Sequence, residues 1–223
     1  LWLARGGFED VLLAYPSADR AGFAELASDP KLAAAVTGMI DDPAQLRLID
    51  ESRDGGREVI RVCLELDTSL KLFGGRMRVG ARRSPLHSPA QVADLARFVA
   101  GRPGFKVVGI LAYEGHIAGV GDSVAGRPLR SRAVRLMQAT ARRELAERRG
   151  EVVRAVRAVV PDLEFVNGGG TGSVQTTAAE DAVTEIGAGS GLYVPRLFDN
   201  YTSFSGRPAA LFAQPVVRRP GVG

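Results

Sequence analysis

Short apolar runs alternate along this chain with longer helical patterns, and this alternation limits the fold more than any other feature. Six runs have the composition of strands: residues 11–14, 35–40, 59–67, 107–112, 163–167 and 183–186. They are almost continuously apolar, which is typical of parallel strands buried on both faces. Repetition of strand, helix and strand therefore predicts an α/β fold built on a parallel sheet.

Residues suited to helix starts stand between these runs. Helices are predicted after Asp19, after Asp42-Pro43 and after Ser88-Pro89. The longest helix is expected from about residue 130 to residue 159, and a break is predicted near Gly150.

The strand count favours part of a barrel, although the pattern also fits a doubly wound sheet. A (β/α)8 barrel needs eight strands, and residues 1–7 read as a helix end that runs directly into a strand. We therefore predict a partial (β/α)8 barrel over residues 1–207 that lacks its first two strands. Residues 210–220 form one more strand-like run, so residues 208–223 are predicted to start a second, β-rich domain.

Composition and charge limit the classes of binding partner and the cellular compartment that we expect. The net charge of +4 comes mostly from scattered arginines, without the concentrated basic and aromatic stripe that nucleic-acid binding favours. No apolar stretch reaches the roughly 18 to 20 residues needed to span a membrane, and the N-terminus has no signal-peptide pattern. The single cysteine, Cys63, lies in a strand run, which fits a core residue in a reducing cytoplasm.

A glycine-rich segment, Gly168-Gly169-Gly170-Thr171-Gly172-Ser173, directly follows the strand run 163–167. Consecutive glycines let backbone N–H groups turn toward an anion, and the hydroxyls of Thr171 and Ser173 add donors. The segment lacks both the Gly-Lys-Ser/Thr of a P-loop and the GxGxxG spacing of a dinucleotide site. It indicates a phosphate cradle, with a flexible turn at the barrel rim as the alternative.

A second such segment, residues 187–193, follows the last strand run and contains Ser190, Gly191 and Tyr193. If two strands precede residue 1, the two segments follow strands seven and eight. Barrels of this type commonly build a phosphate site at those positions.

Two further positions carry candidate chemistry. Tyr113 and His116 follow the strand run 107–112, at the end where barrel active sites lie, and His116 could transfer protons or lie against a flat ring. Arg78 follows the run 59–67, where it could meet a phenolate or carboxylate, or form a loop ion pair with Asp67. His87, in a loop, is interpreted as structural.

Together these segments resemble the N-terminal barrel of the alanine racemase-like proteins, which are fold type III pyridoxal 5'-phosphate (PLP) enzymes. The similarity runs from residue 2 to about residue 217 and is carried by LELDTSLKLFGGRMRVG, GILAYEGHIAGVGD, EFVNGGGTGS and EIGAGSGLYVPRLFDNY. The branch that it resembles most holds D-threonine aldolase, D-serine dehydratase and amino-acid deaminases. This implies a PLP-dependent aldolase, dehydratase or racemase that acts on the Cα or Cβ of a small amino-acid substrate.

The resemblance also assigns roles to residues. The loops matching Gly169, Gly170, Thr171 and Gly172, and Ser190, Gly191 and Tyr193, would hold the cofactor phosphate. Tyr113 and His116 match residues that line cofactor and substrate, and Arg78 matches the arginine of an R-x-G motif near the ring. The intact protein is expected to be a monomer or homodimer, and its C-terminal β domain can carry a divalent metal.

One departure concerns the lysine that forms the Schiff base, which in the family lies on the first barrel strand, upstream of Leu1. Lys31 and Lys106 should lie at the N-terminal ends of their strands, opposite to the end where barrel active sites lie. Lys71, past the C-terminal end of a strand, is the one lysine of the chain whose position could replace it. The chain by itself is therefore expected to be inactive and, with open sheet edges, to fold poorly. Two alternatives stay open: a non-catalytic PLP carrier, and a phosphate-binding lyase that uses Asp67 and Glu114 without PLP.

Overall fold

Six parallel strands form the central sheet of the protein, whose computed structural model describes residues 1–219 and 221. The strands are β1 (Val11–Pro16), β2 (Val36–Ile40), β3 (Ile60–Glu65), β6 (Phe105–Ala112), β7 (Phe165–Gly168) and β8 (Glu185–Ile186). They lie side by side in chain order, and every neighbouring pair is parallel. Each predicted run thus overlaps one strand, and the sheet is that of a partial (β/α)8 barrel.

Helices connect these strands, and three of them begin at the capping residues that the sequence predicted. In chain order they are α1 (Trp2–Arg5), α2 (Arg20–Ser28), α3 (Pro30–Ala35), α4 (Pro43–Ser52), α5 (Pro89–Ala100), α6 (Gly115–Ala118), α7 (Pro128–Arg157) and α8 (Val174–Thr177). The side chain of Asp19 caps α2, and Asp42 and Ser88 form capping boxes at α4 and α5. Each cap satisfies backbone N–H groups that lack a partner in the first turn.

A two-stranded hairpin interrupts the alternation and was not predicted. Strands β4 (Leu70–Leu72) and β5 (Met77–Val79) pair antiparallel after β3, and a short 3₁₀ turn, Phe73–Gly75, joins them. Leu70 packs with Ile117, Ala141 and Leu145, so the hairpin covers α6 and the middle of α7.

Side chains on the two faces of the sheet form separate clusters, because successive residues of a strand point to opposite sides. Val62, Leu64 and Ile110 join the large core beneath the helices. On the other face, a smaller cluster holds Met39, Cys63 and Leu111, against which Phe165 packs. Cys63 is thus a buried core residue, as predicted, and burial raises the pKa of its thiol.

Phe165 of β7 and Gly109 of β6 make an especially close contact within this second cluster. A Cβ atom at position 109 would lie 2.2 Å from Cζ of the phenyl ring. The ring therefore occupies the space that any larger side chain at position 109 would need.

Two predictions about secondary structure are wrong. Helix α7 runs without interruption through Gly150, because one glycine weakens a helix without ending it. Residues 203–219 contain no helix or strand, although residues 210–219 read as a strand; Pro220 lies outside the described residues. Among the described residues no strand pairs with this segment, and its apolar side chains, including Leu211 and Phe212, are exposed. The assignment of residues 208–223 to a second domain stays a prediction.

No helix in the described part of the chain combines the length and the hydrophobicity that crossing a bilayer requires.

Candidate functional site

Three segments that carry polar side chains meet where strands β6, β7 and β8 end. They are the segment Tyr113–His116 after β6, the β7 loop (residues 169–173) and the β8 loop (residues 187–193). Thr171 Oγ1 lies 3.1 Å from Ser190 Oγ, so a hydrogen bond between hydroxyls joins the two loops. The structure therefore brings together both glycine-rich segments that the sequence singled out.

The β7 loop is a tight turn with its own hydrogen bonds. Gly170 N donates to Ser173 Oγ at 3.1 Å, and Ser173 N donates back to Gly170 O at 2.9 Å. Gly169 adopts a φ of +77°, a conformation that favours glycine. Within residues 1–219, the N–H groups of Thr171 and Gly172 find no acceptor, so two consecutive donors at the tip of the loop are available to an anion.

Glu114 lies beneath this loop and holds it from below. Its carboxylate accepts hydrogen bonds from Gly169 N (3.0 Å), Ser173 Oγ (2.9 Å) and Thr177 Oγ1. It also forms an ion pair with Arg149, whose Nη2 atom lies 2.9 Å away. Glu114 is 1% exposed and Arg149 is fully buried. The carboxylate is thus fully engaged within the protein.

A cleft of about 240 Å³ opens beside the tip of the β7 loop. Its wall includes Thr171, Gly172, Gly191, Ser203 and, from α7, Arg142. The Nε atom of Arg142 is buried and finds no acceptor among the described residues. The Arg142 side chain as a whole is half-buried, and a guanidinium at the edge of a cleft can donate charge-assisted hydrogen bonds to a bound anion.

Gly172 has a packing role at the edge of this cleft. A Cβ atom there would lie 2.2 Å from Ala118 O and 2.4 Å from Cε1 of Tyr201. The Tyr201 hydroxyl donates to Ala118 O at 2.9 Å, and burial raises the pKa of Tyr201 to about 12. Absence of a side chain at position 172 therefore lets the loop lie directly on α6.

Tyr113 links the β7 loop to a pair of residues that sequence reasoning missed. Its ring packs on Gly170, and the guanidinium of Arg83 lies 5.5 Å from the centroid of the same ring. Arg83 also lies over Tyr15 at 4.3 Å and pairs with Glu65 at 2.7 Å. Burial raises the pKa of Glu65, while Arg83 opposes that shift. Arg83 therefore connects Tyr113, at the end of β6, with Tyr15 of β1 and Glu65 of β3.

His116 is buried at 5% exposure, between α7 and the hairpin, with Gly80 against its ring. Neither ring nitrogen finds a hydrogen-bond partner in the described part of the chain. Burial lowers the pKa of His116, as does Arg148, while Glu114, Glu144 and Asp67 oppose the shift. The imidazole is therefore neutral near pH 7.

Arg78 lies on the hairpin, where the predicted loop ion pair is present. Its Nη1 atom lies 3.5 Å from Asp67 Oδ2, and Asp67 also accepts hydrogen bonds from the amide and hydroxyl of Ser69. Tyr193, at the end of the β8 loop, has an exposed side chain, and its carbonyl accepts from Ala209 N. The proposed contacts of Arg78 and Tyr193 with a cofactor stay predictions.

The three lysines lie where the sequence placed them. Lys106 is the second residue of β6 and pairs with Glu164 and Asp162 at the N-terminal end of the sheet. Lys31 is in α3, ahead of β2. Lys71 lies in β4, beyond the C-terminal end of β3, and burial and the neighbouring Arg78 lower its pKa.

Comparison with known proteins adds to this geometry. No family model matches the sequence. The chain is 29% identical over 188 residues to a 3-hydroxy-D-aspartate aldolase of Paracoccus denitrificans, which covers 84% of this chain and 42% of that protein. The chain therefore spans less than half the length of the curated relatives that it matches.

Solved structures share the fold at lower identity. D-threonine aldolase from Filomicrobium marinum superposes with a TM-score of 0.67 at 20% identity, over 90% of this chain and 48% of that one. D-threo-3-hydroxyaspartate dehydratase from Delftia sp. HT23 gives 0.57 at 21% identity, over 89% and 46%. An alanine racemase-like protein from Idiomarina loihiensis gives 0.52 at 16% identity, over 88% and 46%. The chain therefore has the fold of the alanine racemase-like barrels, as the resemblance of its sequence motifs predicted.

Proposed function

We propose that this chain is most of the PLP-binding barrel of an enzyme that acts at the Cα or Cβ of D-amino acids carrying a 3-hydroxyl group. The observation that carries the proposal is the anion site where the β7 and β8 loops meet. The relatives named above, an aldolase and a dehydratase of 3-hydroxy-D-aspartate and a D-threonine aldolase, support the substrate class.

The residues present fit the phosphate of PLP. The free amides of Thr171 and Gly172 can donate to it, and the hydroxyls of Thr171 and Ser190 lie beside them. The guanidinium of the half-buried Arg142, whose Nε atom finds no acceptor among the described residues, adds a positive charge at the same cleft. Backbone donors, hydroxyls and a guanidinium are the groups that bind phosphate in proteins.

The remaining residues would orient the substrate and limit the access of water to the site. When bound, PLP would supply an electron sink for the bond broken at Cα. The rings of Tyr113 and Tyr15, with Arg83 between them, would form one wall of the site. In this proposal Tyr113 or His116 assists proton transfer, for which the neutral state of His116 is suitable, and Arg78 approaches the ring from the hairpin.

The Schiff-base lysine is proposed to lie outside this chain. Lys31 and Lys106 are at the far end of the sheet from the loops, which leaves Lys71 as the internal alternative. Among the described residues no group of three or more His, Cys, Asp or Glu side chains could hold a metal, so we assign any divalent metal to residues beyond these. We further propose that the protein is a monomer or homodimer in the cytoplasm; the free, buried thiol of Cys63 fits a reducing compartment.

A phosphate-binding lyase without PLP gains no support from the geometry. That reaction would need free carboxylates at the strand ends, yet Glu114 accepts four hydrogen bonds and Asp67 is tied to Ser69 and Arg78. A PLP carrier would use the same phosphate site as an enzyme, so turnover is what separates those two functions.

The test is an absorption spectrum of the full-length protein with PLP, before and after addition of D-threonine or 3-hydroxy-D-aspartate. We expect a protein-bound Schiff-base band that shifts with substrate, and release of either an aldehyde with glycine or ammonia with a keto acid. Bound PLP without turnover of any D-amino acid would favour the carrier. The spectrum of free PLP would overturn the proposal.

A further inference from the structure

We propose that Glu114 is a positioning residue for the phosphate site: with Arg149 it fixes the β7 loop so that two amides face the ligand, and it thereby makes the protein selective for a phosphorylated cofactor. This inference rests on the function proposed above. It assigns Glu114 a role different from that of a catalytic acid.

The carboxylate ties together both ends of the loop. Its Oε2 atom accepts from Gly169 N and from Arg149, and its Oε1 atom accepts from Ser173 Oγ and Thr177 Oγ1. The loop donors thus come from its first residue, its last residue and α8. A single rigid group therefore sets the distance between the two ends of the turn.

Ser173 extends the positioning effect of Glu114 to the tip of the loop. Its hydroxyl donates to Glu114, which leaves its lone pairs to accept from Gly170 N at 3.1 Å. The amides of Gly169 and Gly170 are consequently directed inward, and those of Thr171 and Gly172 are the ones left for an anion. Without the carboxylate, the hydroxyl would be free to rotate and release Gly170 N.

The charge of Glu114 is balanced inside the protein rather than by the ligand. Arg149 is fully buried and also donates to Ala112 O at 3.0 Å, which anchors the pair to the end of β6. On its other side, Arg149 forms an ion pair with Glu180. Hydrogen bonds between ionised groups are stronger than neutral ones. The pair of Glu114 and Arg149 therefore holds the loop in place more strongly than neutral hydrogen bonds would.

The chain offers a matched control. Glu180 is the second carboxylate on the same guanidinium, and its side chain has no contact with the β7 loop among the hydrogen bonds of the described residues. Glu180→Gln therefore removes one partner of Arg149 and leaves the loop bonded, whereas Glu114→Gln places an NH2 group opposite donors on the loop side.

The experiment measures dissociation constants for PLP and for pyridoxal, which lacks the phosphate, in the full-length wild-type protein and in E114Q, E180Q and S173A. In E114Q we expect PLP affinity to fall about tenfold or more, the scale on which removal of a group that orients a metal ligand weakens metal binding, while pyridoxal affinity changes little. S173A should show a smaller loss with the same selectivity, and carries the test if E114Q does not fold. E180Q should bind both compounds as wild type does.

Each other outcome has a distinct meaning. Equal losses for PLP and pyridoxal in E114Q and S173A, or the same losses in E180Q, would overturn the positioning role, because general destabilisation would explain them. Wild-type protein that binds PLP no better than pyridoxal would overturn the phosphate site itself, and this inference with it.

Discussion

The hydroxyls of Thr171 and Ser190 lie 3.1 Å apart. They join the β7 and β8 loops, between which 13 residues of chain intervene. This contact makes the two loops one site. If both hydroxyls also bind a phosphate, T171V and S190A should each weaken PLP binding by about 1 kcal/mol, the usual net value of one hydrogen bond. Titration of the full-length protein with PLP measures this.

A matched control for that pair is T140V, since the Thr140 hydroxyl donates within α7 to Leu136 O. It should leave PLP affinity unchanged. Unaltered affinity in both T171V and S190A would mean that the two hydroxyls serve only each other.

Arg142 and Arg143 are adjacent in sequence but differ in surroundings. Arg142 lines the cleft, whereas Arg143 is exposed and is absent from that lining. We expect R142A to weaken PLP binding by roughly 1.5 to 3 kcal/mol, the range for hydrogen bonds to charged groups, and R143A to have no effect. Similar affinities for the two variants would contradict an anion contact at Arg142.

The buried, neutral state of His116 predicts a pH effect on stability. Its pKa is lowered by burial, so as the pH falls below about 6.5 the unfolded chain binds a proton that the folded protein does not. The free energy of unfolding should therefore fall more steeply in wild type than in H116Q. The gap between them should change by about 1.4 kcal/mol for each unit by which the pKa is lowered.

Chemical denaturation of the full-length proteins between pH 5 and pH 7.5 measures that difference. His87, whose pKa is also lowered, is present in both proteins, so its contribution cancels. Curves that stay parallel over this range would show that His116 titrates normally.

Lys71 can be tested as the site of cofactor attachment. Borohydride reduction of the full-length protein with PLP, followed by peptide mass analysis, should locate the label upstream of residue 1, and K71A should still become labelled. The reason is that Lys71 lies on the hairpin, paired with Arg78 in register, rather than on the barrel sheet. A label on the peptide that contains Lys71 would contradict the proposed position of the lysine.

The sheet and its helix starts were predictable because the local signals are strong. Continuous apolar runs identify buried parallel strands, and Asp42-Pro43 and Ser88-Pro89 identify helix starts. The meeting of the two glycine-rich loops followed from parallel topology, since strands β7 and β8 end at the same edge. These features depend on residues that are close together in the chain.

Buried charge was harder to foresee. Arginines that follow one another in a helix are usually part of a solvated face, yet both Arg148 and Arg149 of α7 are buried. Arg149 finds Glu114 and Glu180 at sequence separations of more than 30 residues. The Glu65 and Arg83 pair likewise joins β3 to a distant loop. Such partners are set by tertiary packing, and no local pattern signals them.

The contact between Gly109 and Phe165 has a consequence for evolution. Since the phenyl ring fills the space above position 109, a larger residue there is compatible with the sheet only when position 165 becomes smaller. The two sites, on neighbouring strands but more than 50 residues apart in sequence, should therefore change together across descendants of this gene. Position 109 would accept larger residues only in lineages whose position 165 already lacks the phenyl ring.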